Sequence, residues 1–181
     1  MQDWNVIVTL FHELGAYRRA RAILRRLGEI DSTEFHNVLV MRVENVDEFL
    51  EAFLDKVTAE PGIMNDISRV TPLKDTFDFQ NAQDFEAKSR AIVLSLLPRL
   101  HDCTFHVRLH RRGMGEALDS HQEERFLDEA LLAALQEARA PGRISFEDPD
   151  IIIDVETAGD RAGLSLWTRD DLERYPFLRI D

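Results

Sequence analysis

The residues whose chemistry is most evident lie between Thr104 and Arg112, where apolar side chains alternate with cationic or titratable ones. The apolar set is Phe105, Val107 and Leu109, and the polar set is His106, Arg108, His110 and Arg112. Because successive side chains of a β-strand point to opposite faces, this spacing predicts a strand with one buried face and one cationic face. The cationic face is either a solvated surface or a surface that binds an anion such as phosphate.

The elements after this strand are well marked in the sequence. Ser120 and Glu123 have the spacing of a capping box, which predicts a helix that begins with Ser120 as its N-cap. Ala140-Pro141-Gly142 ends that helix. After a turn rich in Asp, two apolar segments predict a strand at 151–156 and a return strand at 163–167.

The order of these elements resembles the THUMP domain of RNA-modifying enzymes. The matching pieces are the helix at 84–100, the strand Phe105–Arg112, the helix opening at Ser120, the Asp148-Pro149-Asp150 turn, and the aliphatic strand after it, which ends in an acidic residue. The resemblance covers residues 83–170. Its more specific part is the Asp-Pro-Asp turn with the hairpin that follows.

The preceding half of the chain predicts a second, smaller fold. Its apolar segments indicate a β-α-β-α-β order, in which Asn45 caps the second helix. This half also looks like the small ferredoxin-like domain that usually precedes THUMP. The expected fold class is therefore α+β, with a ferredoxin-like N-terminal domain at residues 1–80 followed by a THUMP-like α/β domain at residues 81–181.

The whole arrangement most resembles the stand-alone members that assist tRNA cytidine acetylation in eukaryotes and lack a catalytic domain. The resemblance implies a tRNA-binding adaptor without catalysis of its own, which presents tRNA to a separate modification enzyme such as a cytidine acetyltransferase. The alternative is an acidic protein-interaction module that docks a basic partner, with RNA binding incidental.

The expected RNA contacts are mostly arginines, because a guanidinium binds a phosphate through two parallel hydrogen bonds. The candidates are Arg108, His110, Arg111, Arg112, Arg125 and Arg143. By resemblance, they recognise the shape of a tRNA end rather than a base sequence. A further row, Arg18, Arg21 and Arg25, shares one face of the first helix, and the sequence leaves open whether that face joins the RNA surface.

The residues do not assemble a catalytic centre or a metal site. The sequence has neither a phosphate loop nor a dinucleotide fingerprint. His106 and His110 share a strand face but lie about 13 Å apart at about 3.3 Å per residue, which is too far to ligate one ion. Cys103 is expected to be a small core residue, and the acids at 147–150 are explained by their turn. We therefore predict that the chain is not an enzyme and uses no metal or cofactor.

Composition limits the classes of partner. The chain has 181 residues and a formal net charge of -12, which opposes generic binding to nucleic acid. Basic residues outnumber acids in 1–30 and 83–119, however, so a local basic face can bind RNA weakly and with strong salt dependence. The single cysteine and the lack of a long apolar run predict a cytoplasmic protein that binds neither membrane nor DNA.

Overall fold

The computed structural model describes residues 1–180, and of Glu116 it describes only the backbone. The chain divides into two compact units. The first comprises Met1–Lys74 together with the C-terminal segment that starts at Leu172, and the second comprises Asp75–Asp171. Two sheets and five α-helices make up the described fold, which agrees with the predicted α+β class.

The first unit is built around a four-stranded antiparallel sheet. Its elements are β1 (Val6–Leu10), α1 (Ala16–Leu24), β2 (Glu29–Ser32), β3 (Val38–Arg42), α2 (Val46–Ala59) and β4 (Ile67–Pro72), with a short 3-10 helix at Pro61–Asn65. The strand order is β2-β3-β1-β4, and each neighbouring pair is antiparallel. Each helix therefore connects two parallel strands that are separated by a third strand between them.

The N-cap of α2 was predicted from the sequence, whereas strand β2 was not. Asn45 caps α2 as predicted, because its side chain accepts hydrogen bonds from the backbone N–H groups of Asp47 and Glu48. Strand β2 was not predicted. It is a short edge strand, Glu-Ile-Asp-Ser, with a single apolar residue, so it carries no hydrophobic alternation to mark it.

The second unit has a mixed five-stranded sheet. Its elements are β5 (Asp75–Asp78), α3 (Ala82–Ser95), β6 (Thr104–His110), α4 (Ser120–Glu137), β7 (Arg143–Ile144), β8 (Ile151–Ala158) and β9 (Arg161–Thr168), and α5 (Arg169–Arg174) follows. The strand order is β5-β9-β8-β6-β7. Strand β6 is parallel to both β7 and β8, whereas β8 and β9 form an antiparallel hairpin.

The core of this unit lies between one sheet face and the helices α3 and α4. The sheet contributes Phe105, Val107, Leu109, Ile153 and Val155, and the helices contribute Phe85, Val93, Leu127, Leu131 and Leu135. Burial of each such side chain contributes about 1.5–3 kcal/mol to stability. This packing fixes which face of β6 is available for other contacts.

Two boundaries differ from those expected from the sequence. Helix α4 has Asp119 as its N-cap, whose side chain accepts from the backbone N–H of Gln122 at 2.9 Å, so the predicted capping box of Ser120 and Glu123 is wrong. Along the chain, the boundary between the units falls between Lys74 and Asp75 and not near residue 80, because β5 pairs with β9 and so belongs to the second unit. The segment from Leu172 belongs to the first unit, where the backbone N–H of Val70 donates to the carbonyl of Phe177.

None of the helices in the described part of the chain is long and apolar enough to cross a membrane.

Candidate nucleic-acid interface

Strand β6 has the two faces that its alternation predicts. Phe105, Val107 and Leu109 are buried in the core beneath the helices. The opposite face carries His106, Arg108 and His110, but it is less open than a solvated face. His106 is only 9% exposed, and the side chains of Arg108 and His110 are 37% and 21% exposed. The prediction of the strand and its apolar face is confirmed.

Two acids of α4 bond the free edge of β6. Strand β7 pairs only with Thr104 and Phe105, which leaves the later N–H groups on that edge without a strand partner. The backbone N–H of Val107 donates to Asp128 Oδ1 at 2.9 Å, and that of Leu109 donates to Glu124 Oε1 at 2.8 Å. These bonds compensate backbone groups that would otherwise be costly to bury. They also turn two acidic side chains of α4 toward the sheet.

Burial changes the charge state of the acids on α4. Desolvation raises the pKa of the Asp128 carboxyl to about 7, and the nearby Glu124 adds to this, although the hydrogen bond from Val107 opposes it. Desolvation likewise raises the pKa of Glu123 to about 7, assisted by the charges of Glu86 and Asp119. At neutral pH, α4 therefore carries less negative charge than its sequence suggests.

Basic side chains at the end of β6 lie close to the acids of β8. The side chain of Arg112 forms an ion pair with Glu156, and His110 Nε2 lies 3.9 Å from Asp154 Oδ1. Ligand atoms of His110, Asp154 and Glu156 all lie within 4.8 Å of one another. Because both acids are fully buried, the Arg112 guanidinium is required to compensate Glu156. Arg112 is thus a structural residue, and its contact with RNA remains a prediction.

Arg111 closes the loop that follows β6. Its guanidinium donates to the carbonyl oxygens of Gly113 and Gly115, both at 2.7 Å. Gly113, Met114 and Gly115 all have positive φ, a conformation that glycine adopts without strain and that turns the chain sharply. Through these two hydrogen bonds Arg111 stabilises the shape of the loop.

Arg125 and Arg143 are exposed and form no ion pair with any described residue. Arg125 lies in the second turn of α4, beside a shallow hollow of about 260 Å³ that Phe126 and Glu129 also line. It follows Glu124, whose carboxylate lies 3.8 Å from Arg108. Arg143 lies in β7 and pairs with Thr104, at the start of β6. The structure therefore places Arg108, Arg111 and Arg125 toward one end of β6, and Arg143 at the other.

Three residues that matter at this surface were not predicted from the sequence. Asp154 and Glu156 were treated only as part of an aliphatic strand, although acids at alternate positions of a fully buried strand require cationic partners nearby. Phe146 received no role from the sequence, whereas the structure exposes 73% of it in the turn after β7. The feature of the sequence that could have indicated the exposure of Phe146 is its position between Ser145 and the acidic turn.

The fold of this chain also occurs in solved structures of other proteins. No protein-family model and no curated protein matches the chain. Among solved structures, PH1313 from Pyrococcus horikoshii Ot3 is 14% identical, with a TM-score of 0.62, over 92% of this chain and 55% of its own. A 4-thiouridine synthetase in complex with RNA and ATP is 14% identical, with a TM-score of 0.52, over 91% of this chain and 41% of its own.

A possible methylase from Clostridium difficile 630 is also similar, with 14% identity and a TM-score of 0.56 over 93% of this chain and 42% of its own. This chain thus spans about half the length of the solved structures that it matches. At such identities the likeness shows a shared fold and nothing more.

The prediction that the chain is not an enzyme is contradicted by these likenesses. It relied on the lack of a catalytic constellation and on the resemblance to members without a catalytic domain. The same fold occurs in a 4-thiouridine synthetase and in a possible methylase, so it does not identify a non-catalytic protein.

Proposed function

We propose that the chain binds structured RNA, tRNA in particular, and that its second unit presents the RNA to the active site of an RNA-modifying enzyme. The observation that carries the proposal is the division of charge around α4. Glu124 and Asp128 point inward and bond β6, and Glu123 is buried, whereas Arg111 and Arg125 are exposed. In a protein with a net charge of -12, these two guanidinium groups are thus exposed beside acids that face inward, while Asp119 and Glu129 are exposed acids of the same helix.

The fold supports the same proposal. One of the solved structures similar to this chain is a 4-thiouridine synthetase bound to RNA, which is consistent with RNA as a ligand class for the shared fold. For the first unit we propose a ferredoxin-like domain. Its antiparallel order β2-β3-β1-β4, with each helix connecting parallel strands across an intervening one, supports that assignment.

Binding of tRNA to paired arginine variants tests the proposal. Arg125 and Arg143 are the appropriate positions, because Arg112 and Arg111 have structural contacts whose removal would disturb the fold. We expect Arg125→Ala combined with Arg143→Ala to weaken tRNA binding. We also expect the slope of log K against log salt to become shallower by about 0.7–0.9 for each phosphate that the variant no longer neutralises.

The control is Arg90→Ala combined with Arg139→Ala, which removes the same charge from two other exposed arginines of the second unit. It should leave affinity and slope close to those of the wild-type protein. If the wild-type chain binds no tRNA at low salt, RNA binding is refuted and the acidic protein-interaction module becomes the better description. If both double variants lose affinity equally, the effect is one of net charge and the assigned surface is wrong.

A further inference from the structure

Phe146 is an aromatic side chain that the second unit leaves outside its core. It is 73% exposed, whereas Phe79, Phe85 and Phe105 of the same unit are at most 2% exposed. Its ring lies against His106, with ring centroids 5.5 Å apart and an interplanar angle of 49°. One edge of the ring is thus supported by the polar face of β6, and much of the rest is accessible.

Hydrogen bonds hold the turn that carries Phe146 at both of its ends. The backbone N–H of Ser145 donates to the carbonyl of Phe105 at 3.0 Å, and Asp150 exchanges hydrogen bonds with the backbone and hydroxyl of Thr104. Arg169 donates to the carbonyl of Asp148 at 2.8 Å and forms an ion pair with its carboxylate. An aromatic ring on such a braced turn is preorganised, so little ordering cost is incurred when a ligand binds.

Guanidinium groups lie along the same face of the sheet. Paired residues of neighbouring strands point to the same side, so Arg143, which pairs with Thr104, shares the face of His106 and Arg108. The pairing positions of Arg143 and Arg108 are four residues apart, about 13 Å at about 3.3 Å per residue. Phe146 contacts His106, which lies between these two positions.

We propose that Phe146 is a stacking platform for an unpaired RNA base, and that Arg143 and Arg108 contact the phosphates on either side of it. The inference rests on the proposed RNA-binding function and adds an unpaired nucleotide as the feature recognised. An isolated exposed ring with flanking guanidinium groups is typical of sites for single-stranded nucleic acid, because every base presents a π-face. A protein partner is less well matched, since a contiguous apolar patch is the usual mark of a protein-docking site and Phe146 is a single exposed ring.

The test compares Phe146→Ala, Phe146→Leu and Phe146→Trp on two RNAs with the same stem, one with an unpaired 3′ extension and one blunt-ended. Loss of a base–aromatic stack by alanine substitution is expected to weaken binding of the extended RNA roughly fivefold to a hundredfold. The Leu variant should lose nearly as much, because it keeps an apolar side chain without a π-face. The Trp variant should retain wild-type affinity, and all variants should bind the blunt RNA equally.

Leu14→Ala serves as the matched control, since Leu14 is 98% exposed and belongs to the first unit. It should not change the affinity for either RNA. The inference is overturned if Phe146→Leu binds the extended RNA as tightly as the wild-type protein, or if the Ala variant weakens both RNAs alike. Either result leaves the proposed function intact as long as the wild-type protein binds tRNA, whereas failure of that binding refutes both.

Discussion

Asp128 illustrates how one residue can determine both local structure and pH dependence. Its carboxylate accepts the backbone N–H of Val107, and the side chain is buried, which raises its pKa to about 7. In the unfolded chain the same group loses its proton near its ordinary pKa of about 3.9. Because the folded state binds the proton more tightly, the contribution of Asp128 to stability is greatest at acidic pH and falls as pH rises from about 4 to 7.

We therefore expect Asp128→Asn to stabilise the protein at neutral pH. The amide oxygen can still accept the hydrogen bond from Val107, and no charge is then buried. A tenfold difference in proton affinity between the folded and unfolded states corresponds to about 1.4 kcal/mol. The increase in the free energy of unfolding caused by Asp128→Asn should therefore be small near pH 4 and reach at least about 1 kcal/mol at about pH 7 to 8. Urea denaturation measured at several pH values gives the free energy of unfolding that checks this.

Glu129→Gln is the control for Asp128→Asn, because it removes one negative charge from an exposed position of the same helix. Its effect on the free energy of unfolding should be within about 0.5 kcal/mol. If Asp128→Asn instead destabilised the protein, and did so more at neutral than at acidic pH, the bond to Val107 would require the charged carboxylate.

Arginines of this protein show what a sequence cannot determine about single residues. Arg112 and Arg125 were both predicted to contact RNA, and their sequence neighbourhoods are similarly polar. In the structure, Arg112 compensates a buried Glu156 while Arg125 is exposed. The difference depends on pairing between β6 and β8, which are about forty residues apart in the chain, so local spacing cannot reveal it.

At the scale of elements, hydrophobic periodicity predicted most of the structure. The alternation of β6 and the helix predicted to follow it, α4, are confirmed, since both elements are buried on one side. The periodicity failed at strand β2, which lies at an edge and has one apolar residue. Strand β8 was predicted, but its aliphatic pattern gave no sign that the two acids within it are buried. The predicted N-cap of α4, Ser120, differs by one residue from the observed one, Asp119, because both residue types are good N-caps.

Helix α1 allows a comparison of arginines within one element. Arg19 forms a bidentate ion pair with Asp66, at 2.6 and 2.8 Å, whereas Arg18 and Arg25 are exposed and form no ion pair with a described residue. We expect Arg18→Glu combined with Arg25→Glu to weaken tRNA binding at low salt with little change in melting temperature, because the first unit then repels phosphates.

Arg19→Ala is the contrasting variant for α1. It leaves the carboxylate of Asp66 without its partner, so the melting temperature should fall while tRNA affinity changes little. Titration of tRNA at two salt concentrations, together with thermal unfolding, separates the two effects. Unchanged tRNA binding by the double Glu variant would remove α1 from the RNA surface and identify its arginine row as a solvated face.

At the scale of the whole molecule, the C-terminal segment completes the first unit although it follows the second in sequence. Phe177 is fully buried and packs edge-to-face on Phe53, with ring centroids 4.8 Å apart. Tyr175 donates its hydroxyl to Glu51, which also forms an ion pair with Arg174. The partners of this segment could not be inferred from the sequence, because no periodic pattern relates residues so far apart in the chain.

The position of Phe177 predicts which unit loses stability when the tail is altered. Removal of a buried Phe side chain costs about 3–5 kcal/mol, and here the cavity would open beside α2 and β4 in the first unit. We expect Phe177→Ala to accelerate amide hydrogen exchange in β1, β4 and α2, and to leave exchange in β8 and β9 nearly unchanged. Phe85→Ala, at an equally buried position of the second unit, should produce the reverse pattern. Faster exchange in β8 and β9 of the Phe177→Ala protein, at the same rate as in β1, would show that the two units unfold as one cooperative body and that the tail stabilises both.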